Sequence, residues 1–242
     1  MSYAPPFGTK NNTGITVDTL IREINRLGKT PSCIGIDLTG SERRASGMCI
    51  LKGQNARLSL ARSDEEIIRI IDSAGTGLVS IDSSLGLPAG RCCVNDSCEC
   101  RKHGIMRESE RILRKRGIRI YPTLIKSMQQ LTMRGIRLAG VLRDNGYEII
   151  ESYPGGTQDI LNIPRKKTEP VHLMSGLSDM RITMYADCER IVHDELDALT
   201  SALVGYFYLS GWYEAVGNST EGFLILPDLS AVDKEKGSLL EH

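Results

Sequence analysis

Two aspartates each stand at the end of an apolar segment that has the composition of a buried strand. Asp37 follows the segment that begins at Ser32, and Asp82 follows the segment that begins at Leu78. Ligands bind at the carboxyl ends of strands in open α/β sheets, and these strands should be neighbours, so we expect the two carboxylates to lie close together. Such a pair is costly unless a cation lies between the charges, and carboxylate oxygens suit Mg²⁺ or Mn²⁺. An ordinary turn residue is the alternative for each position, since Asp is common after strands.

Three further acidic residues could join this site. Glu151 follows a predicted strand and precedes the rigid turn at 152–156, although an ordinary strand-end role is an alternative. Asp194 and Asp197 are three residues apart at the start of a predicted helix, so they share one face. Acid in a first helical turn also compensates the helix dipole, which explains Asp194 better than Asp197. The predicted catalytic and metal-binding carboxylates are Asp37, Asp82, Glu151 and Asp197, with Asp194 as a further candidate.

Four carboxylates at one sheet edge would support two-metal phosphoryl transfer. In that chemistry one ion activates water and the other stabilises the leaving oxygen. We therefore expect Mg²⁺ or Mn²⁺ at the acidic site.

Four cysteines and one histidine are concentrated in a short segment after the Asp82 strand. These candidate ligands are Cys92, Cys93, Cys98, Cys100 and His103. Thiolates and imidazole at this density predict a structural, tetrahedral Zn²⁺ site. The spacing departs from the paired C-x-x-C pattern, so an iron–sulfur cluster, disulfides and free thiols remain alternatives. We expect the other three cysteines to be ordinary buried residues, namely Cys33, Cys49 and Cys188.

Basic residues follow the cysteine-rich segment and recur later in the chain. The candidate nucleic-acid contacts are Arg107, Arg111, Arg114, Lys115, Arg165 and Lys166. Next to a metal-binding acidic edge they could follow a phosphate backbone, and a solvated helix face is the alternative. Aromatic residues make up 5% of the chain, which gives poor support for a base-stacking platform.

The elements that must position these residues alternate in an α/β pattern. Hydrophobic periodicity predicts strands at 32–38, 45–51, 56–61, 78–81 and 147–150, and a further edge strand at 223–226. It predicts helices at 17–27, at 64–75 with Asp64 as the N-cap, at 105–116, at 124–145 and at 192–209. Small residues in the last helix would let it pack closely on the sheet.

These elements predict a five-stranded mixed sheet with flanking helices. The first three strands should form an antiparallel meander, and a right-handed crossover places the fourth parallel to the first. We divide the chain into an N-terminal extension with one helix at 1–31, a domain at 32–239 that includes a Cys-rich insertion at 91–104, and a purification-tag remnant at 240–242.

Composition sets limits on location and partners. Lys plus Arg and Asp plus Glu both number 30, so net charge argues neither for nor against nucleic acid. The first residues contain no apolar run, and no stretch approaches the roughly 18 apolar residues of a membrane span, so we expect no export signal and no membrane partner. Seven cysteines without an export signal favour the cytoplasm.

Four segments carry a family resemblance. Residues 33–40 (CIGIDLTG), 79–88 (VSIDSSLGLP), 151–155 (ESYPG) and 194–199 (DELDAL) resemble a domain-of-unknown-function family of predicted nucleases with a ribonuclease H-like fold. The likeness spans 31–227, and the last segment is similar to a helix of RuvC-like resolvases. The resemblance implies a ribonuclease H-like sheet and metal-dependent hydrolysis of phosphodiester bonds in DNA or RNA.

Two other functions compete with a nuclease. Residues 37–40 faintly resemble the first phosphate loop of actin-like and sugar-kinase-like phosphotransferases, but those proteins need two such domains. A catalytically silent binding protein could keep the same scaffold and use the zinc-stapled insertion to hold a partner.

Overall fold

The computed structural model describes residues 14–164, 170–186 and 190–232. Within these ranges one mixed sheet contains eight strands, in the spatial order β6-β3-β2-β1-β4-β5-β8-β7. Their bounds are β1 Ser32–Asp37, β2 Ser46–Lys52, β3 Asn55–Ala61, β4 Leu78–Asp82, β5 Glu148–Ser152, β6 Thr183–Ala186, β7 Tyr213–Asn218 and β8 Gly222–Pro227.

The five predicted strands have the predicted directions, but the prediction of a five-stranded sheet is wrong. β1, β2 and β3 are antiparallel, whereas β4 and β5 continue parallel to β1. Three strands extend the sheet: β6 pairs with β3 at one end, and the β7–β8 hairpin pairs with β5 at the other. The apolar run at 223–226 lies in β8, which is an inner strand because β7 covers its outer side.

The helices are α1 Val17–Arg26, α2 Asp64–Ala74, α3 Glu108–Lys115, α4 Gln129–Asp144, α5 Pro154–Ile160, α6 Pro170–Asp179 and α7 His193–Ser210. Asp64 was predicted as the N-cap of α2, but Ser63 is the cap, since its side chain accepts a hydrogen bond from the Glu66 amide. Helices α3 and α4 begin later than the predicted starts at 105 and 124, because residues 105–107 are not helical and turns occupy 124–128. A 3₁₀ turn at Glu99–His103 precedes α3. In the described ranges, none of the helices has the length and apolarity needed to cross a membrane.

Helices cover both faces of the sheet. Side chains alternate between the faces along each strand. Ile34, Ile36 and Ile81 face α2 and α4, and the apolar side of α3 packs on the β7–β8 hairpin. Cys33 and Ile150 lie in the opposite layer with α1, α6 and α7, which contains the larger part of the core.

Helix α7 lies directly on the sheet because glycines leave no side chain in between. A Cβ atom at Gly35 would lie 1.9 Å from the Ala198 carbonyl oxygen, and one at Gly47 would lie 2.0 Å from the Asp194 carbonyl oxygen. Gly205 of the helix lies against the Cys33 side chain in the same way. The predicted close packing of this helix is confirmed, and its first turn lies beside the carboxyl end of β1.

Candidate functional site

Asp37 and Asp82 lie side by side at the carboxyl ends of β1 and β4. The strands are parallel, and Asp37 pairs with Asp82 across them. Residues paired in this way project to the same face, so both side chains lie on the face that α7 covers. The predicted adjacency of these two residues is confirmed.

The first turns of α7 bring Asp197 and His193 to the same edge. One Asp197 carboxylate oxygen accepts a hydrogen bond from Gln158 Nε2 at 2.8 Å, and the other is 3.3 Å from His193 Nε2. These partners offset the cost of placing a carboxylate beside the packing face of the helix. In the described part of the chain, His193 Nδ1 is buried without a hydrogen-bond partner. Donation from Nε2 to Asp197 would leave Nδ1 as an acceptor or a metal ligand.

A cavity of about 340 Å³ joins these groups. Asp37, Asp82, Asp197 and His193 contribute to its lining. Ser152, which pairs in register with Asp82 and is 2% exposed, lines the same cavity. Its hydroxyl has no hydrogen-bond partner among the residues that the structure describes. A buried hydroxyl without a partner is costly, so a ligand or water in the cavity should satisfy it.

The acidic edge is not a preformed metal cage. Within the described ranges, the acidic and histidine ligand atoms of this cavity do not form a group of three within 4.8 Å of one another. Carboxylates repel one another when no cation lies between them. The donor set suits a hard divalent cation, and the side chains would have to approach one another to bind it.

Glu151 lines the cavity but occupies the other face of the sheet. It pairs in register with Ile81, so its side chain projects away from α7. Its carboxylate accepts hydrogen bonds from both terminal nitrogens of Arg107, at 2.8 Å for Nη1, and from the Leu85 amide at 2.8 Å. The predicted role of Glu151 as a metal ligand would require it to leave these partners.

Arg107 is buried, so the predicted contact with nucleic acid would require it to leave its present partners. It is 1% exposed, and its Nε donates to Glu110 at 2.9 Å and to Thr123 at 3.1 Å. Burial lowers the pKa of Arg107, but the neighbouring carboxylates of Glu151 and Glu110 outweigh it and raise that pKa above its usual value. Arg107 therefore holds two buried acids at the wall of the cavity, whose lining it joins.

Asp194 is separate from the cavity lining. Its carboxylate lies 3.9 Å from the exposed Arg44 guanidinium, and its backbone oxygen lies against Gly47. Of the two acids predicted at the start of α7, Asp197 is the one that faces the cavity.

Of the other residues predicted to contact nucleic acid, two have partners within the protein, one is exposed, and two lie outside the described residues. Arg111 pairs with Glu108 at 3.0 Å, and Arg114 donates to the Ile120 carbonyl oxygen. Lys115 is exposed at the end of α3. Arg165 and Lys166, like Cys188 and the segment 240–242, lie outside the described residues.

Four cysteines form a compact cluster in the insertion. The sulfur atoms of Cys92, Cys93, Cys98 and Cys100 all lie within 4.8 Å of one another. The Sγ atoms of Cys92 and Cys98 are 3.7 Å apart, and those of Cys93 and Cys100 are 3.8 Å apart. A tetrahedral zinc with Zn–S bonds of about 2.3 Å requires sulfur atoms about 3.8 Å apart. All four thiols are free, and the cluster could hold a metal such as zinc.

His103 is not part of this cluster, so four thiolates complete the ligand set without it. The His103 ring lies against Gly90, where an added Cβ would be 2.5 Å from Nδ1. Cys33 and Cys49 are fully buried elsewhere in the core, as predicted.

Hydrogen bonds change the pKa values of the clustered thiols and attach the insertion to the rest of the fold. A hydrogen bond from the Cys92 backbone lowers the pKa of Cys100 to about 6, whereas hydrogen bonds with Cys100 and Cys98 raise the pKa of Cys92 to about 12. The buried Arg91 donates to the Cys93 carbonyl oxygen at 3.1 Å. Gln129 at the start of α4 donates to Asp96 at 2.9 Å, which ties the insertion to that helix.

Sequence reasoning missed His193, Ser152 and Gln158 as parts of the site. The i,i+4 spacing of His193 and Asp197 on one helix was the available signal for the first. Ser152 and Gln158 carried no sequence signal, because their positions depend on the register of β5 and on the packing of α5 against α7. Comparisons of the chain with protein-family models, with curated proteins and with solved structures give no match.

Proposed function

We propose that this chain hydrolyses phosphodiester bonds of nucleic acid with Mg²⁺ or Mn²⁺ bound at Asp37, Asp82 and Asp197. The observation that carries this proposal is the in-register pairing of Asp37 with Asp82, beside the helix that brings Asp197 and His193 into the same cavity. A divalent cation bound there would supply an activated water and stabilise the leaving oxygen.

Six polar residues of the cavity have roles in this proposal. Asp37, Asp82 and Asp197 hold the cation, and Gln158 keeps Asp197 oriented through its hydrogen bond of 2.8 Å. His193 accepts a proton or binds metal through Nδ1. Glu151 is a positioning residue, since its carboxylate anchors Arg107 at the wall of the cavity.

We further propose that the fold is ribonuclease H-like. Its support is the antiparallel order of β1, β2 and β3, followed by parallel β4 and β5 with acids at their carboxyl ends. In this proposal β6 and the β7–β8 hairpin are additions at the two ends of the sheet.

The cysteine cluster has a structural role in the proposal. Zinc bound by Cys92, Cys93, Cys98 and Cys100 would fix the insertion beside the cavity, because sulfur spacings of 3.7 and 3.8 Å match a tetrahedral site. Clustered cysteines with metal-site spacing are more typical of a reducing compartment than of an oxidising one, and we propose the cytoplasm.

The proposal is tested by substituting the paired aspartates. Asp37→Asn and Asp82→Asn should each lower metal-dependent cleavage by several powers of ten, because each removes a charge that holds the cation while keeping the side-chain shape. The double variant should lose little more than either single variant, since the carboxylates act as a unit. Cleavage is measured with Mg²⁺ and with Mn²⁺ on DNA and RNA.

Asp194→Asn is the matched control. Its carboxylate is close in sequence to Asp197 but pairs with Arg44 rather than lining the cavity, so cleavage should be nearly unchanged. Loss of cleavage in this variant, or full activity in Asp37→Asn, would reject the proposed site.

A non-catalytic nucleic-acid-binding protein is the second candidate. The ion pair between Glu151 and Arg107 favours this second candidate. It leaves one carboxylate fewer to bind metal in the cavity than the sequence predicted. Salt-dependent binding of nucleic acid without cleavage under either metal would support this candidate.

A further inference from the structure

Part of the cavity lining is apolar. Ile120, Tyr121, Met128 and Leu131, which come from the connection between α3 and α4 and from the start of α4, line the same cavity as the acidic residues. Its volume of about 340 Å³ lies at the small end of the roughly 300–1,000 Å³ that ligand pockets occupy. The cavity therefore combines an acidic edge with an apolar wall and has room for one small unit of a substrate.

Tyr121 is the most exposed large apolar side chain in the residues that the structure describes. Its exposed fraction is 72%, whereas the next most exposed of these side chains, Met133, reaches 48%. A ring at the rim of a cavity with this exposure has most of its surface available to a ligand.

The backbone on both sides of Tyr121 is held in place. Arg114 donates two hydrogen bonds to the Ile120 carbonyl oxygen, at 3.1 and 3.3 Å. The Thr123 amide donates to the buried Glu110 carboxylate at 3.0 Å. An aromatic ring on a fixed backbone loses little conformational entropy when it binds a ligand, so Tyr121 is a preorganised contact surface.

We infer that the cavity accepts one unpaired nucleotide of a nucleic-acid strand, with its base stacked on Tyr121 and its phosphate held by the divalent cation that Asp37 and Asp82 would bind. This inference rests on the proposed function and names the form of its substrate. Stacking requires a free base face, which every nucleotide of a single strand offers and a paired duplex withholds. The preferred substrates are therefore single strands, loops or unpaired ends.

The test is equilibrium binding to the full-length chain, with Ca²⁺ in place of Mg²⁺ so that cleavage does not interfere. The probe is a short single strand that contains the fluorescent base 2-aminopurine, compared with its duplex and with a free mononucleotide. The wild-type chain should bind the single strand more tightly than either, and binding should quench 2-aminopurine. Tyr121→Ala should weaken this binding by roughly ten-fold to a hundred-fold and abolish the quenching, and Tyr121→Phe should retain both.

Tyr185→Ala is the matched control, because Tyr185 is another exposed tyrosine but lies on β6, away from the cavity lining. The Tyr185→Ala variant should bind the single strand with the affinity of the wild type. Unchanged affinity in Tyr121→Ala, equal binding of the duplex, or equal binding of the free mononucleotide would each overturn the inference. Cleavage with Mg²⁺ is measured on the same strand: quenching that depends on Tyr121 without any cleavage would reject the proposed function and support this inference, whereas cleavage that Tyr121→Ala leaves unchanged would reject the inference alone.

Discussion

Arg107 and Glu151 form a buried ion pair at the wall of the candidate site. Their side chains are 1% and 6% exposed, and Glu110 accepts a further hydrogen bond from the same guanidinium. Two acids around one arginine leave a net negative charge that hydrogen bonds from Leu85 and Thr123 offset. Removing one member of such a group leaves a buried charge or donor without its partner, which costs more than the group contributes as a whole.

Glu151→Gln should therefore destabilise the folded chain by about 3 kcal/mol. The free energy of unfolding is measured by urea denaturation. Glu214→Gln is the control, because Glu214 pairs with Arg116 at 2.6 Å on the surface, where loss of the pair should cost less than about 1 kcal/mol. Equal effects of the two substitutions would show that the Arg107 group does not support the fold.

The sequence allowed the neighbouring positions of Asp37 and Asp82 to be predicted, but not the face that Glu151 occupies. Apolar runs define β1 and β4 clearly, and each run leads into an acid. The side of β5 on which Glu151 projects depends on its pairing with Ile81, which is fixed only when β4 and β5 assemble. Arg107 could not be recognised as buried, since its partner Glu151 is 44 residues away in the chain.

At the scale of elements, the contact between α7 and β1 sets the position of Asp197. Gly35→Ala would place a methyl group 1.9 Å from the Ala198 carbonyl oxygen, and neither backbone can yield without moving the helix. We expect a loss of about 3 kcal/mol or more in the free energy of unfolding, together with loss of cleavage as Asp197 shifts.

Gly140→Ala provides the control for this substitution. Gly140 lies inside α4, and apart from its own helix backbone no atom of the described residues lies within 4 Å of the added Cβ. Alanine should stabilise the helix there by about 0.5–1 kcal/mol. The two glycine substitutions should thus change the urea midpoint in opposite directions, and a shift of the same sign would contradict the close packing of α7.

The cysteine-rich insertion is a second element whose position depends on a few contacts. Purified protein should contain about one zinc per chain, and Cys100→Ala should lose it. Removal of the metal by a chelator should increase amide hydrogen exchange in 91–104 while the sheet remains protected, because the large core lies elsewhere. His103→Ala should keep the zinc, since the four sulfurs complete the cluster without His103.

At the scale of the whole molecule, the positions and directions of the central five strands could be predicted from the sequence. The strands that pair at the two ends of the sheet could not. β1 to β5 have strong apolar runs and short or helical connections, which limit their arrangement. β6 has four residues, and its pairing with β3 depends on tertiary contacts. β7 contains Glu214, Gly217 and Asn218, so its pattern lacks the alternation of a half-buried strand.

The β7–β8 hairpin joins the sheet through few strand pairs and packs on α3, and one buried acid in its turn adds polar contacts. β8 pairs with β5 at two positions. Glu221, in the turn of the hairpin and 2% exposed, accepts hydrogen bonds from the Ala89 amide at 2.7 Å and from the Glu108 amide at 2.5 Å. This carboxylate therefore links the hairpin to the insertion and to α3.

Glu221→Gln should destabilise the chain by about 1.5–3 kcal/mol at neutral pH, the usual contribution of hydrogen bonds to a charged group. Burial raises the pKa of Glu221, but the amides of Ala89 and Glu108 outweigh it and hold that pKa below its ordinary value of 4.5. A lowered pKa means that the carboxylate stabilises the fold fully above 4.5 and loses this effect as the pH falls through the folded-state pKa. The difference in unfolding free energy between wild type and Glu221→Gln should shrink below that pH, whereas the exposed Glu214→Gln should stay close to the wild type throughout. A difference that is constant from neutral to acid pH would show that Glu221 does not hold the hairpin through its charge.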